Sequence, residues 1–202
     1  YASAIGRSIR RLEAVLASEL NEAKISGAVG NFAGMNPETA ALALSVTLKL
    51  EQAEAETQIL QRDRHAILLA ILADAAGSIE QMARTFWEMM RSDVGELREP
   101  KSPRQRGSSA MAHKRNPIVT ERLMGMARMV RACSGAAMEN IATTECREIE
   151  QSNVEREIFP TATGLVHYMA HKAAWLVENL EVFPDRMLEN LAVTRGTWAT
   201  QP

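Results

Sequence analysis

Ala66-Ile67-Leu68-Leu69-Ala70-Ile71-Leu72-Ala73-Asp74-Ala75-Ala76-Gly77 is the stretch whose reading decides the fold. It lies inside a longer run, Glu54 to Ser92, that holds no proline and a single glycine, Gly77. Apolar residues recur through this run at 59, 60, 67–73, 75, 76, 79, 82, 83, 86, 87, 89 and 90. Read as one helix, it would be about 38 residues, or about 57 Å at 1.5 Å per residue. It is too apolar around its circumference for a surface helix, so it belongs inside a bundle or at a subunit interface. Such length with such burial predicts an oligomer.

Composition agrees with packed helices. The chain has 202 residues, 46% of them apolar and only 4% aromatic, so its core is built from Ala, Leu, Ile, Val and eleven Met. That is enough chain to bury a substantial core. The net charge of −2 gives no global pull toward nucleic acid or an acidic membrane surface. The near-apolar run Ala66–Ala73 is far short of a membrane span. Cys133 and Cys146 are the only cysteines, in no metal-ligand spacing and too few for a disulfide framework, which suits a reducing, cytoplasmic setting. Helix-like sequence from Tyr1 onward, without an initiator Met or signal peptide, suggests a piece of a longer protein.

Working outward, residues 2–24 carry Ile5, Ile9, Leu12, Leu16 and Leu20, a ladder marking one helix face. Two glycines interrupt the pattern at 24–31, and Asn36-Pro37-Glu38 has N-cap and N1 chemistry for a second helix to about Leu50. Beyond the central run, Gly95 to Arg106 reads as a charged loop, and Asn116-Pro117 as another cap opening a helix to about Asn140. The interior of that helix is rich in small residues and Met, which favours close helix approach. Ser152 to Glu155 has the spacing of a capping box, and Pro160 predicts a kink or a restart. Phe183-Pro184-Asp185 opens a last short helix ending near Gly196. No repeat and no strand signal is present. The expected fold class is all-α, a bundle of long helices.

Chemistry concentrates at Gly107-Ser108-Ser109-Ala110-Met111-Ala112-His113-Lys114-Arg115-Asn116-Pro117. A Gly-Ser-Ser run before a helix N-terminus holds anions, because backbone N–H groups, hydroxyls and the helix dipole act together. Lys114 adds a full charge. An alkoxide at Ser108 would be favoured by these same groups. The plain alternative is a polar loop followed by a capped helix. His167 and His171 are spaced i, i+4 as two metal ligands would be, but no third ligand is apparent, and exposed helix surface is the simpler reading.

The loop resembles the signature GSSxMPxKxN of the fumarase/aspartase superfamily, matched at Gly107, Ser108, Ser109, Met111, Lys114 and Asn116, with Ala112 in place of the proline. Its HKRNP continuation is most similar to the adenylosuccinate lyase branch. Residues 24–30 (KISGAVG), 57–65 (TQILQRDRH, similar to a TQxxQRDRHA helix start), 147–156 (REIEQSNVER) and 179–184 (NLEVFP) resemble further segments of that branch, in order. Departures cluster at 145–153, where Glu145, Cys146, Glu148, Glu150 and Asn153 replace the usual residues.

The resemblance implies a β-elimination releasing fumarate from adenylosuccinate, and from a related succinyl-carboxamide ribotide, in purine biosynthesis. Ser108 would be the general base, with Lys114 and Asn116 stabilising the aci-carboxylate and Glu121 orienting a catalytic histidine. Gln58 would bind the succinyl portion and Ser109 the substrate, while Arg147, Ser152 and Arg156 would take the nucleotide phosphate. No metal and no cofactor is implied. The family's acid is a histidine in a Thr-x-His motif, and His65, His113, His167 and His171 are in no such motif. The chain is therefore expected to be a middle section: residues 1–183 as a partial central helical domain, and 184–202 as the start of a C-terminal one. The implied assembly is a homotetramer whose sites each draw on three subunits, with a nucleotide substrate, no nucleic-acid partner and no membrane. Two alternatives stand: another lyase of the superfamily acting on a different succinyl adduct, or a non-catalytic helical assembly fragment.

Overall fold

The computed structural model describes residues 1–100, 115–144 and 147–193. Among these, six helices carry the fold: α1 (Ala2–Ser18), α2 (Pro37–Leu48), α3 (Asp63–Met89), α4 (Ile118–Glu139), α5 (Ile149–Asn179) and α6 (Pro184–Val193). The all-α expectation holds.

The core lies along α3, which is enclosed by α1, α4 and α5. Each of the large helices turns one stripe inward at helical spacing. On α4 the stripe is Thr120, Leu123, Ala127, Val130, Cys133 and Ala137. On α5 it includes Ile158, Ala162, Met169, Ala173 and Leu176. Spacings of three and four keep such residues on one face, so burying them against α3 is the main stabilising term. α3 is long and apolar enough to pass for a membrane span, yet half of its most apolar window is buried within this bundle. That is the signature of a core helix.

Polar contacts fix the helix directions. Trp87 near the end of α3 meets Glu121 at the start of α4, and Glu80 meets Arg131 further along, so α3 and α4 run antiparallel. Asn140 after α4 meets Gln151 at the start of α5, while Arg122 meets Tyr168, so α4 and α5 are antiparallel too. Tyr1 contacts Thr85 while Arg64 contacts Glu22, which sets α1 antiparallel to α3.

Several sequence expectations are corrected. The central helix begins at Asp63, not near Glu54, and has 27 residues. The preceding residues bend instead of coiling into helix, following β2 (Glu51–Gln52), which pairs parallel with β1 (Glu22–Ala23). A second ladder pairs β3 (Leu97–Arg98), inside the expected loop, antiparallel with β4 (Glu181–Val182). Ladders of two residues are too short for an alternating pattern to show in sequence. α1 does not bury its whole Leu/Ile ladder: Ser8 and Val15 face inward, and Ile9 and Leu16 lie exposed. Ser8 takes the inward place because its hydroxyl donates to Asp74 on α3 at 2.7 Å.

Asn36 caps α2 as expected, its side chain accepting from the Thr39 amide. Asn116 does not cap α4. Glu99, almost fully buried, accepts instead from the amides of Thr120 at 2.7 Å and Val119 at 3.0 Å. A full negative charge outcompetes an amide oxygen at the positive end of a helix. The capping box at Ser152 is absent as well. α5 starts at Ile149, which places Ser152 inside its first turn, and α5 passes through Pro160 without a restart. On α4, Met129 and Met138 are exposed rather than packed. α6 begins at Pro184 as expected and is tied by Arg186 and Asn190 to the carbonyl of Val94.

Candidate functional site at the two ends of the bundle

The antiparallel arrangement sorts the candidate residues into two groups. Asn116 and Glu121 stand at the end where α4 begins. Asn116 is exposed, and Glu121 on the first turn accepts from the Trp87 indole N–H at 3.2 Å. Arg115 beside them is 3.5 Å from Glu181 on β4, and Arg98 reaches the same carboxylate at 3.3 Å. Two cations on Glu181 and the buried Glu99 cap hold together the two chain segments that flank residues 101–114. Ser108, Ser109 and Lys114 lie outside the described residues.

Gln58, Arg147, Ser152 and Arg156 stand at the opposite end. Gln58 is exposed in the bend before α3, not at a helix start. Arg147 is exposed just before α5. Ser152 and Arg156 are one turn apart on α5, and Arg156 is exposed, with a 3.5 Å contact to Asn153. Residues four apart on a helix share a face. Such a face, one hydroxyl and one guanidinium with a second guanidinium nearby, suits a phosphate.

The two groups are separated by the length of α4, 22 residues, or about 33 Å at 1.5 Å per residue. No single small molecule bridges that gap. Within one copy of the chain the described candidates do not form one site.

Sequence reading missed the groups that hold these residues in place. Arg62, His65 and Glu155 form a largely buried cluster at the Gln58 end: Glu155 Oε1 is 2.8 Å from Arg62 Nε and 2.9 Å from His65 Nδ1. Nearby, Glu56 accepts from Gln52 at 2.7 Å and from Ser26 at 3.4 Å. Burial pushes the Glu56 carboxyl above its ordinary value, against the pull of Lys24, Ser26 and Arg64. Mid-bundle, Glu80 receives Arg131 at 2.6 Å and Arg84 at 2.7 Å. Burial works to raise its carboxyl, but the two guanidinium hydrogen bonds prevail and hold it below the ordinary range. His167 and His171 pack ring against ring at 4.6 Å, and no group of three metal-ligating side chains occurs among the described residues.

Residues 1–132 match the family model described as lyase. The chain belongs to the lyase family. Proteins named lyase are among its similar proteins as well. It is 44% identical over 194 residues to the adenylosuccinate lyase of Thermotoga maritima, covering 96% of this chain and 44% of that protein. It is 45% identical over 186 residues to the adenylosuccinate lyase of Synechocystis, covering 92% of this chain and 43% of that protein. Among solved structures, the fold is similar to a fumarate lyase from Mesorhizobium, with a TM-score of 0.82 and 26% identity, covering 96% of this chain and 43% of that one. It is equally similar to the 3-carboxy-cis,cis-muconate lactonizing enzyme of Pseudomonas putida, with a TM-score of 0.82 and 31% identity, covering 95% and 43%. The chain thus spans less than half the length of the relatives it matches.

Proposed function

We propose that the full-length protein carrying this chain is an adenylosuccinate lyase. The observation that carries this reading is the 44% identity to a protein of that name over nearly the whole chain, together with the signature loop at 107–116. In this reading Ser108 takes a proton from the carbon beside a substrate carboxylate, and the electron pair passes into that carboxylate as an aci-carboxylate. Lys114 and Asn116 stabilise the added negative charge. The pair then returns to expel the purine amine, breaking the C–N bond and forming the double bond of fumarate. The amine is protonated as it leaves, by an acid that we assign outside these 202 residues and that Glu121 orients. Gln58 and Ser109 hold the succinyl side, and Arg147, Ser152 and Arg156 hold the phosphate.

The separation of the two groups along α4 supports a site shared between copies. In this reading the assembly is a homotetramer and its setting is cytoplasmic. Residues 1–183 form part of the central domain in this reading, and 184–202 open a C-terminal one. Fumarate release from adenylosuccinate by the full-length protein tests the reading. Turnover is expected in the wild type, with a loss of at least about a hundredfold in Ser108→Ala, since a proton-transfer group contributes roughly 10² to 10⁴. Release from a different succinyl adduct, with none from adenylosuccinate, would favour another lyase of the superfamily.

A further inference from the structure

Glu155 lies in sequence between Ser152 and Arg156, three residues after Ser152, and its carboxylate meets the start of α3. Its Oε1 lies between two basic side chains of the α3 start, 2.8 Å from Arg62 Nε and 2.9 Å from His65 Nδ1. The Arg62 contact is one of charge rather than an aligned hydrogen bond. All three side chains are at least three-quarters buried. Arg62 also shapes the approach to α3, because its Nη1 donates to the Leu60 carbonyl at 2.8 Å and so fixes the bend two residues from Gln58. The His65 ring meets Phe159 edge to face at 5.4 Å, one turn beyond Glu155 on α5. An unbroken set of contacts therefore joins the Gln58 bend to the turn of α5 that carries Ser152 and Arg156.

We infer that Glu155, gripped by Arg62 and His65, is a positioning residue that sets Ser152 and Arg156 against the Gln58 bend as one nucleotide-binding face. The inference rests on the adenylosuccinate lyase reading. A largely buried carboxylate between two fixed basic groups has one geometry available, whereas the exposed guanidinium of Arg156 has many. Fixing the helix turn limits the positions that Arg156 samples, and an error of about 1 Å in a positioning group costs up to about a hundredfold.

The test uses the full-length protein with Glu155→Gln, which keeps the shape and removes the charge. Wild-type release of fumarate from adenylosuccinate is measured first, and its absence would dismiss the underlying reading before any variant is scored. Given wild-type turnover, Glu155→Gln raises the KM for adenylosuccinate and the inhibition constant of AMP by about tenfold, more than it lowers kcat. In an Arg156→Ala background the same change has a clearly smaller effect, about threefold or less, because only Ser152 of the two groups it positions remains. A plain helix-to-helix ion pair would lower thermal stability and leave the AMP constant unmoved, and that result overturns the inference. An equal effect in both backgrounds also overturns it. Should Glu155→Gln not fold, His65→Gln in the same two backgrounds carries the same comparison.

Discussion

Glu80 shows how a single residue is tuned by opposing effects. Burial disfavours its charge, and Arg131 and Arg84 more than compensate, leaving its carboxyl below the ordinary range. A carboxylate depressed in the folded state stabilises fully above the unfolded value, about 4.3, and that stability drains away as pH falls through the folded value. Denaturant midpoints measured from about pH 6 to about pH 2.5 should fall in the acid range, and Glu80→Gln should remove part of that slope. The variant should also be less stable at neutral pH by about 1–3 kcal/mol, since both arginines are half exposed and keep some solvation. Gly30 is constrained differently. Its φ is +76°, and a Cβ there would sit 2.1 Å from the Glu56 carbonyl oxygen. Gly30→Ala is expected to cost at least about 2 kcal/mol in chemical denaturation, from left-handed strain and backbone displacement together. An unchanged midpoint would mean that the 24–34 and 53–58 segments do not touch as described.

At the scale of elements, the start of α4 depends on Glu99. A carboxylate just after β3 caps α4, so the helix start is anchored by a residue 20 and 21 positions away from the amides it holds. Glu99→Gln should lower stability by about 1–2 kcal/mol and increase hydrogen exchange at the Val119 and Thr120 amides. Unchanged exchange at those amides would contradict the cap. This contact also marks where sequence reading stops. Helical spacing made α3, α4 and α5 legible, because burying an apolar stripe leaves a periodic trace, and prolines at their starts made α2 and α6 legible. Asn116 and Ser152 misled because local capping rules cannot see Glu99, nor the Arg62 and His65 side chains that draw Glu155 away from its own helix start. The start of α3 misled for a similar reason: nothing between 54 and 62 breaks a helix locally, and the pairing of β1 with β2 overrides the local preference. Site residues were legible as types and positions in motifs. Their division between two ends was not, because it follows from helix directions set by contacts distant in sequence.

On the scale of the whole molecule, the packed α3–α4–α5 core acts as a spacer. It holds Asn116 and Glu121 at one end and Gln58, Ser152 and Arg156 at the other, about 33 Å apart along α4. Within one chain this separation keeps the described residues of the two groups apart, and the proposed reaction needs both. The proposed function therefore draws one site from different copies. Mixing two variants of the full-length protein, Asn116→Ala and Arg156→Ala, by joint unfolding and refolding tests this most directly, with fumarate release from adenylosuccinate as the readout and mixed assemblies verified by mass. Mixed assemblies are expected to be clearly more active than either variant alone, since some sites then combine an intact Asn116 with an intact Arg156. Mixed assemblies no more active than the average of the two parents would contradict a shared site.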